Sequence, residues 1–226
     1  MSTDSHCLSD ALPPHLQERT RWIPANCNRN PHPGEEGFVL YWMRTAVRTD
    51  ENPALDAARW LAHHRGLKLL IYHAVSERYR YASDRHHLFM LQGGQDVQRQ
   101  FSERGMTYAF HLATHRDRRP HLTTLAAAAT FLVTEEMPTD PGRFFLRALM
   151  RGKHPPIASV DTACIAPMHQ MKKACTRAFE FRSTAKRFYQ ERLAADWPEI
   201  DFGCHSFDLK KLPFEPLNLQ RSDLAE

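Results

Sequence analysis

The 226-residue sequence lacks the patterns that mark several large classes of protein. No run of 18 apolar residues is present, so we expect no membrane-spanning helix. The first residues, MSTDSHCLSDALPP, are polar and interrupted by proline, unlike the charged and then apolar pattern of a secretory signal. The sequence also has no G-x-G-x-x-G, no P-loop and no nucleophile elbow, and therefore carries no common signature of a nucleotide or hydrolase site.

Cysteine gives no sign of a disulfide framework or a zinc site. The five cysteines are odd in number, widely scattered and without C-x-x-C spacing; they are Cys7, Cys27, Cys164, Cys175 and Cys204. We therefore expect reduced thiols in a cytoplasmic protein. His111 and His115 are four residues apart, but a predicted strand and Pro120 argue against one helical metal-binding face, and we expect no metal site.

The composition of the chain is typical of a globular domain. Hydrophobic residues make up 42% of the sequence and charged residues 25%, with a net charge of +4 and 14 histidines. A chain of this length can fill one good-sized core. The positive charge is too small to indicate a protein that coats nucleic acid.

Apolar segments alternate with amphipathic ones from residue 37 onward. Predicted strands cover residues 38–44, 67–73, 106–112, 130–134 and 157–161, and predicted helices cover residues 53–65, 84–104, 122–129, 141–151 and 168–193. No hairpin turn joins two of these strands. We therefore predict an α/β fold, a doubly wound, mostly parallel five-stranded sheet with helices on both faces.

Proline-rich segments flank this predicted domain. Residues 1–36 contain five prolines and are predicted to form an N-terminal arm that is partly disordered. Residues 37–195 form the α/β domain. Residues 196–226 contain three further prolines and little periodicity, which indicates an interdomain linker or an arm that wraps around the body.

The most informative segment is residues 38–55, FVLYWMRTAVRTDENPAL. Its first five residues are continuously apolar, which is typical of a strand covered on both faces. Pro53 suits the first position of a helix because its missing N–H would have no partner there, and Asn52 suits the cap before it. Arg44 and Arg48 follow the carboxyl end of the strand, where open parallel sheets bind ligands.

This segment resembles the opening of the DNA photolyase/cryptochrome family at Trp42, Arg44, Arg48 and the run NPAL at 52–55. Residues 85–94, RHHLFMLQGG, resemble the second helix of class II cyclobutane pyrimidine dimer photolyases, and residues 212–219, LPFEPLNL, resemble the family's connector to its second domain. Thr45 and Ala46 replace an arginine and an aspartate of class I members, which favours class II. Residues 134–136 are Thr-Glu-Glu where class II members usually have Val-Thr-Asp.

The resemblance implies a Rossmann-like N-terminal domain of a deoxyribodipyrimidine photolyase, which repairs cyclobutane pyrimidine dimers in DNA with light. In that family this domain binds an antenna chromophore, a deazaflavin or a folate, and the candidate binding residues here are Arg44, Arg48, Asn52 and Gly93. FAD belongs to a C-terminal helical domain that this sequence lacks, so we do not expect repair by this chain alone. The implied partners are that helical FAD-binding domain, in cis or in trans, and UV-damaged DNA; no membrane is implied.

Other interpretations of these residues remain open. Arg48 could pair with Asp50 or Glu51, and Asn52 could serve only as a helix cap. The glycine pair at 93–94 could allow a helix to pack closely on the sheet rather than contact a chromophore. The alternative function is a stand-alone chromophore- or nucleotide-binding α/β module that docks a separate partner.

Overall fold

The computed structural model describes residues 12–27, 37–78, 81–117, 119–171, 174–200 and 203–221. The strands are β1 Thr20–Ile23, β2 Phe38–Met43, β3 Lys68–Ser76, β4 Tyr108–Ala113, β5 Phe131–Glu135, β6 Ile157–Val160 and β7 His205–Ser206. The helices are α1 Pro14–Gln17, α2 Pro53–His64, α3 Asp84–Glu103, α4 His121–Ala128, α5 Gly142–Met150 and α6 Ala178–Arg192. The predicted disorder of the N-terminal arm concerns residues that lie mainly outside the described ranges.

The sheet has the predicted parallel core. Its strand order is β1-β6-β5-β2-β3-β4, and strands β2 to β6 run parallel to one another. The five predicted strands correspond to β2 to β6, which confirms the doubly wound α/β fold. Two short strands were not predicted: β1 pairs antiparallel with β6 at one edge, and β7 pairs with the start of β3.

Helices cover both faces of the sheet, and the central strand shows why. All six residues of β2 are buried, and their side chains alternate between two separate hydrophobic clusters. Val39, Tyr41 and Met43 pack with apolar residues of α2 and α3, whereas Phe38, Leu40 and Trp42 pack with those of α4 and α5. Because successive side chains of a strand point to opposite faces, a continuous apolar run requires cover on both sides.

Local signals set the ends of two long helices as predicted. The Asn52 side chain accepts a hydrogen bond from Leu55 N at the start of α2, and the Ser83 side chain accepts one from His86 N at the start of α3. Gly66 and Gly105 follow the two helices with φ of 59° and 65°, a region that glycine adopts without steric strain.

The prediction of one helix over residues 168–193 is wrong. The structure has a short 3₁₀ turn at Met168–Gln170, and α6 begins only at Ala178. The buried carboxylate of Asp161 accepts hydrogen bonds from the backbone N–H groups of Ala163, Cys164 and Met168. These bonds fold residues 161–168 into a loop around Asp161, and residues 174–177 before α6 are not helical.

The tail after α6 returns along the body of the domain. Trp197 and Ile200 pack in the cluster on the α2 side, as does Leu219, which is fully buried. Phe214 lies in the cluster on the opposite face. The tail therefore contributes to both cores. None of the helices in the described ranges is long and apolar enough to span a membrane.

Candidate functional site

The strand order creates a crevice at the carboxyl ends of β2 and β5. From β2 the chain proceeds to β3 and β4 on one side, whereas β5 and β6 lie on the other side of β2. The connections that leave β2 and β5 therefore diverge, and ligands of open parallel sheets bind at such a switch point. Arg44, at the start of the loop at 44–52, forms one wall of the crevice, and the loop at 136–141 forms the other together with α5.

Glu135, the last residue of β5, holds the first wall in place. Its carboxylate is completely buried and accepts hydrogen bonds from three consecutive backbone N–H groups, those of Arg44 (2.8 Å), Thr45 (2.6 Å) and Ala46 (3.0 Å). The Tyr41 hydroxyl also donates to it, at 3.2 Å. Burial, together with the charge of Glu135, raises the pKa of Tyr41 well above its ordinary value. This carboxylate fixes the loop that carries Arg44.

Arg44 extends from that loop into the crevice. Its guanidinium carbon lies 4.6 Å from the ring centroid of Trp42, and Nη2 donates to Gly142 O at 2.8 Å. Nη1 is buried and has no hydrogen-bond partner among the described residues. Burial lowers the pKa of Arg44 from its ordinary value, but an arginine stays charged. A buried cationic N–H without a partner is a donor that a ligand can satisfy.

We call the space in front of Arg44 the arginine cleft; its lining residues are Arg21, Arg44, Glu136, Met137, Pro138, Gly142, Arg143, Leu146, Arg147 and Met150. Its volume of about 480 Å³ is within the range of small-molecule sites, roughly 300–1,000 Å³. Four arginines face one glutamate, and Glu136 is paired with Arg21 at 3.0 Å. Methionine and leucine side chains supply the apolar part. The arrangement suits an anionic ligand with a flat apolar body.

Gly142, at the start of α5, permits this geometry. A Cβ at this position would lie 2.6 Å from Met137 Cβ and 3.1 Å from Arg44 Nη2. Any larger residue would push against the cleft wall and against Arg44. Gly142 was predicted to lie in a helix, but its contact with Arg44 could not be predicted from the sequence, because Arg44 belongs to a loop that follows another strand.

Arg48 and Asn52, two of the predicted site residues, stabilise the loop and do not line the arginine cleft. Arg48 Nη2 donates to the carbonyls of Glu51 (2.9 Å) and Thr162 (3.1 Å). Asn52 is fully buried and its Nδ2 donates to the carbonyls of Ala46 and Arg48, both at 3.0 Å. Both side chains therefore set the path of the loop from which Arg44 extends.

Gly93, the fourth predicted site residue, lies in the middle of α3 and is not among the residues that line the arginine cleft. A Cβ built on Gly93 would meet no atom within 4 Å. At Gly94 a Cβ would lie 3.0 Å from a Leu219 side-chain carbon and 3.1 Å from one of Phe110. The close packing that the glycine pair suggested occurs at Gly94.

A second group of polar side chains lies at the carboxyl end of β4. The structure brings together His111, Asp117 and His121, which we call the histidine cluster. We did not expect His111 and His115 to form a metal-binding face, and the structure places His115 Nδ1 3.4 Å from Glu77 Oε1. His121 begins α4, and a loop brings it to the end of β4, so helical or strand spacing gives no signal for this group.

The chain is similar to known proteins in sequence and in fold. The sequence model of the DNA photolyase family matches residues 39–201. A deoxyribodipyrimidine photo-lyase of Methanothermobacter thermautotrophicus is 28% identical over 132 residues, which cover 58% of this chain and 29% of that relative. A Synechocystis sp. PCC6803 cryptochrome has a similar fold, with a TM-score of 0.52 and 10% identity over 79% of this chain and 41% of its own. A class III photolyase from Agrobacterium tumefaciens gives a TM-score of 0.48 and 13% identity over 71% of this chain and 33% of its own.

Proposed function

Because the chain belongs to the DNA photolyase family, we propose that it is the N-terminal, antenna-binding domain of a deoxyribodipyrimidine photolyase. The observation that carries this proposal is the arginine cleft, with the buried and unpaired Arg44 Nη1 at the switch point of the sheet. The relatives are longer, since the aligned part is 29% of the archaeal photo-lyase. Repair is therefore proposed for a complete enzyme of which this domain is one part.

The residues of the cleft fit a deazaflavin or a folate. Both are flat aromatic groups that carry anionic or carbonyl oxygens, which the cationic guanidinium of Arg44 in the cleft lining would attract. Arg143 and Arg147 lie one turn apart on α5 and would bind a more distant anionic group. Met137, Leu146 and Met150 would cover the flat face and exclude water.

In the complete enzyme this chain would bind the antenna and form one wall of the cleft that receives DNA. When bound, the antenna supplies light absorption, and FAD of the helical domain supplies the electron for the pyrimidine dimer. The class II assignment rests on the pattern at 85–94 and on Thr45 and Ala46. No residue described here is assigned to the repair step itself, and we propose that the chain alone does not repair DNA.

Exposed apolar side chains support the proposal of a partner domain. Phe179 and Leu193 of the α6 region are 77% and 72% exposed, and Phe144 and Phe145 of α5 are also exposed. Phe144 and Phe145 contact each other, with ring centroids 5.9 Å apart, and contiguous exposed apolar patches mark interaction surfaces. We propose that a helical FAD-binding domain, in cis or in trans, covers them. We also propose a cytoplasmic location, because the five cysteines are odd in number and lack C-x-x-C spacing.

Chromophore binding provides the direct test of this function. We would titrate the purified chain with a deazaflavin and separately with a methenyl-folate, and follow visible absorption and fluorescence. Arg44→Gln is expected to weaken binding about tenfold or more, because a charge-assisted hydrogen bond is lost. Arg99→Gln, which removes an exposed arginine of α3, is the matched control and should bind as the unaltered chain does.

Binding of neither chromophore, or equal binding by Arg44→Gln, would contradict the antenna proposal. Binding of a nucleotide alone would favour the stand-alone module. A second experiment coexpresses the chain with a helical FAD-binding domain of the family and measures light-dependent reversal of cyclobutane dimers. Reversal is expected only when both parts are present, and reversal by the chain alone would contradict the proposed division of roles.

A further inference from the structure

The three side chains of the histidine cluster are arranged around a common point. His111 comes from β4, His121 from the first position of α4, and Asp117 from the loop between them. One ligand atom from each side chain lies within 4.8 Å of the other two. His121 Nε2 is 3.0 Å from Asp117 Oδ2, and the two imidazole centroids are 4.7 Å apart with their planes at 85°.

His111 contains a buried nitrogen without a partner. The residue is only 6% exposed, and its Nδ1 lies 3.0 Å from the Tyr72 hydroxyl. Its Nε2 is buried and makes no hydrogen bond to any of the described residues. A histidine that binds a metal uses one ring nitrogen as the ligand and donates the N–H of the other to a fixed acceptor. In the tautomer that carries its proton on Nδ1, His111 donates to the Tyr72 hydroxyl, and Nε2 is available as the ligand.

The histidine cluster packs against the apolar ring of Phe214 on one side and is open to solvent at Asp117, which suits a cation bound near the surface. The ring of Phe214 is 4.8 Å from both imidazole centroids, and His121 is 3% exposed. The Asp117 side chain is 28% exposed, so an ion can enter from its side. Arg119 donates to both carboxylate oxygens of Asp117, from Nε at 2.9 Å and from Nη2 at 3.0 Å. A bound cation would share Asp117 with Arg119.

We propose that His111, Asp117 and His121 form a binding site for one divalent transition-metal ion, with Zn²⁺ as the preferred ion. Two imidazoles and one carboxylate are a ligand set that zinc accepts, with water in the fourth tetrahedral position. Calcium and magnesium prefer oxygen ligands and are disfavoured by the two imidazoles. The ion ties the end of β4 to the start of α4. This site is separate from the arginine cleft and does not depend on the function proposed for it.

Calorimetric titration of the chelator-treated full chain with ZnCl₂ tests the proposal. We expect one tight site, and a more than about 100-fold loss of affinity in His111→Gln and in His121→Gln, because each removes a ligand. Tyr72→Phe should weaken binding by about 10- to 100-fold through loss of the outer partner. His169→Gln removes an exposed histidine elsewhere and should leave the affinity unchanged.

Two measurements keep the test decisive if a buried histidine variant fails to fold. Asp117→Asn changes a partly exposed loop residue and should also lose about 100-fold in affinity, whereas Asp96→Asn on the exposed side of α3 should lose none. X-ray absorption of the unaltered chain loaded with Zn²⁺ should show two imidazole ligands. Absence of a tight site, full retention of it in Asp117→Asn, or a coordination shell without two imidazoles would each overturn the proposal.

Discussion

The arginine cleft and the histidine cluster lie at the carboxyl ends of different strands of one parallel sheet, and both contain a buried nitrogen without a partner among the described residues. In the arginine cleft this nitrogen is Arg44 Nη1, a permanent cation that can only donate. In the histidine cluster it is His111 Nε2, which offers a lone pair next to the carboxylate of Asp117. The same position in the fold therefore favours an anion at one site and a cation at the other.

The two regions also differ in how firmly they are held. The loop of the arginine cleft is fixed by the fully buried Glu135, which accepts three backbone hydrogen bonds. Asp117 of the histidine cluster belongs to an exposed loop, where Arg119 is its main partner. We infer that the arginine cleft is preformed, whereas the histidine cluster becomes ordered around its ion. Four predictions test this difference.

The largest effect is expected from Glu135→Ala. The substitution leaves the N–H groups of Arg44, Thr45 and Ala46 buried without their acceptor, which should lower the free energy of unfolding by about 3–5 kcal/mol. Urea denaturation followed by circular dichroism measures this change. Chromophore binding should be lost at the same time, because the loop that carries Arg44 is no longer held.

The neighbouring Glu136→Gln is the matched control. Glu136 is partly exposed and pairs with Arg21, whose side chain is 46% exposed, so the expected loss is about 1 kcal/mol or less. A loss in Glu135→Ala no greater than in Glu136→Gln would show that the buried carboxylate does not hold the loop.

The next effect concerns two buried titratable groups on the sheet face that α2 and α3 cover, since Asp56 bonds to Trp197 and His73 contacts Tyr108 and Phe110. Burial is the main cause that raises the pKa of Asp56 to about 6, and burial lowers the pKa of His73 to about 4. Asp56 therefore contributes stability at low pH that is lost as pH rises from about 4 through 6. His73 contributes stability above pH 6.5 that is lost as pH falls towards 4. Each contribution is on the order of 3 kcal/mol and they have opposite signs.

Single variants separate the two contributions. Relative to the unaltered chain, Asp56→Asn should gain about 3 kcal/mol of unfolding free energy between pH 4 and pH 7, while His73→Gln should lose a similar amount over the same interval. Chemical denaturation at several pH values provides the measurement. Identical pH dependence in the two variants would mean that neither group titrates as described.

A structural feature of this chain could be predicted when the residues that determine it lie close together in the sequence. Asn52 and Ser83 cap helices through bonds to residues three positions ahead, and such signals are visible in the sequence. The strand β2 is likewise recognised from its own consecutive apolar residues. These local patterns predicted the five parallel strands and the ends of α2 and α3.

The missed features all depend on residues that are distant in sequence. Glu135 and Arg44 are 91 residues apart, and the role of Glu135 follows only from the neighbouring position of β5 and β2. The loop after β6 is held by the Asp161 side chain, which accepts hydrogen bonds from backbone groups up to seven positions later. His111 and His121 belong to different elements, so no periodic spacing brings them together.

A smaller effect is expected from Gly142→Ala, which narrows the arginine cleft. The added methyl group would contact Met137 at 2.6 Å and approach Arg44 Nη2, and such overpacking costs about 1–3 kcal/mol of stability. Chromophore affinity should fall, whereas Zn²⁺ affinity at the histidine cluster should not change. Titration of both ligands checks this, with Gly93→Ala as the control, because a Cβ there meets no atom. Equal effects of the two alanines would contradict the assigned cleft wall.

The smallest expected effect is the influence of one ligand on the other. Strand β3 separates β2 from β4, and the lining of the arginine cleft shares no residue with the histidine cluster. A ligand changes the affinity of a second one only if it alters a state that both sense, and allosteric coupling is typically 5- to 150-fold. Because the closely packed, largely buried strand β3 lies between the two sites, saturating Zn²⁺ should change chromophore affinity by less than about twofold. A chromophore titration with and without Zn²⁺ measures this. A change of about fivefold or more would show that the two regions act as one unit.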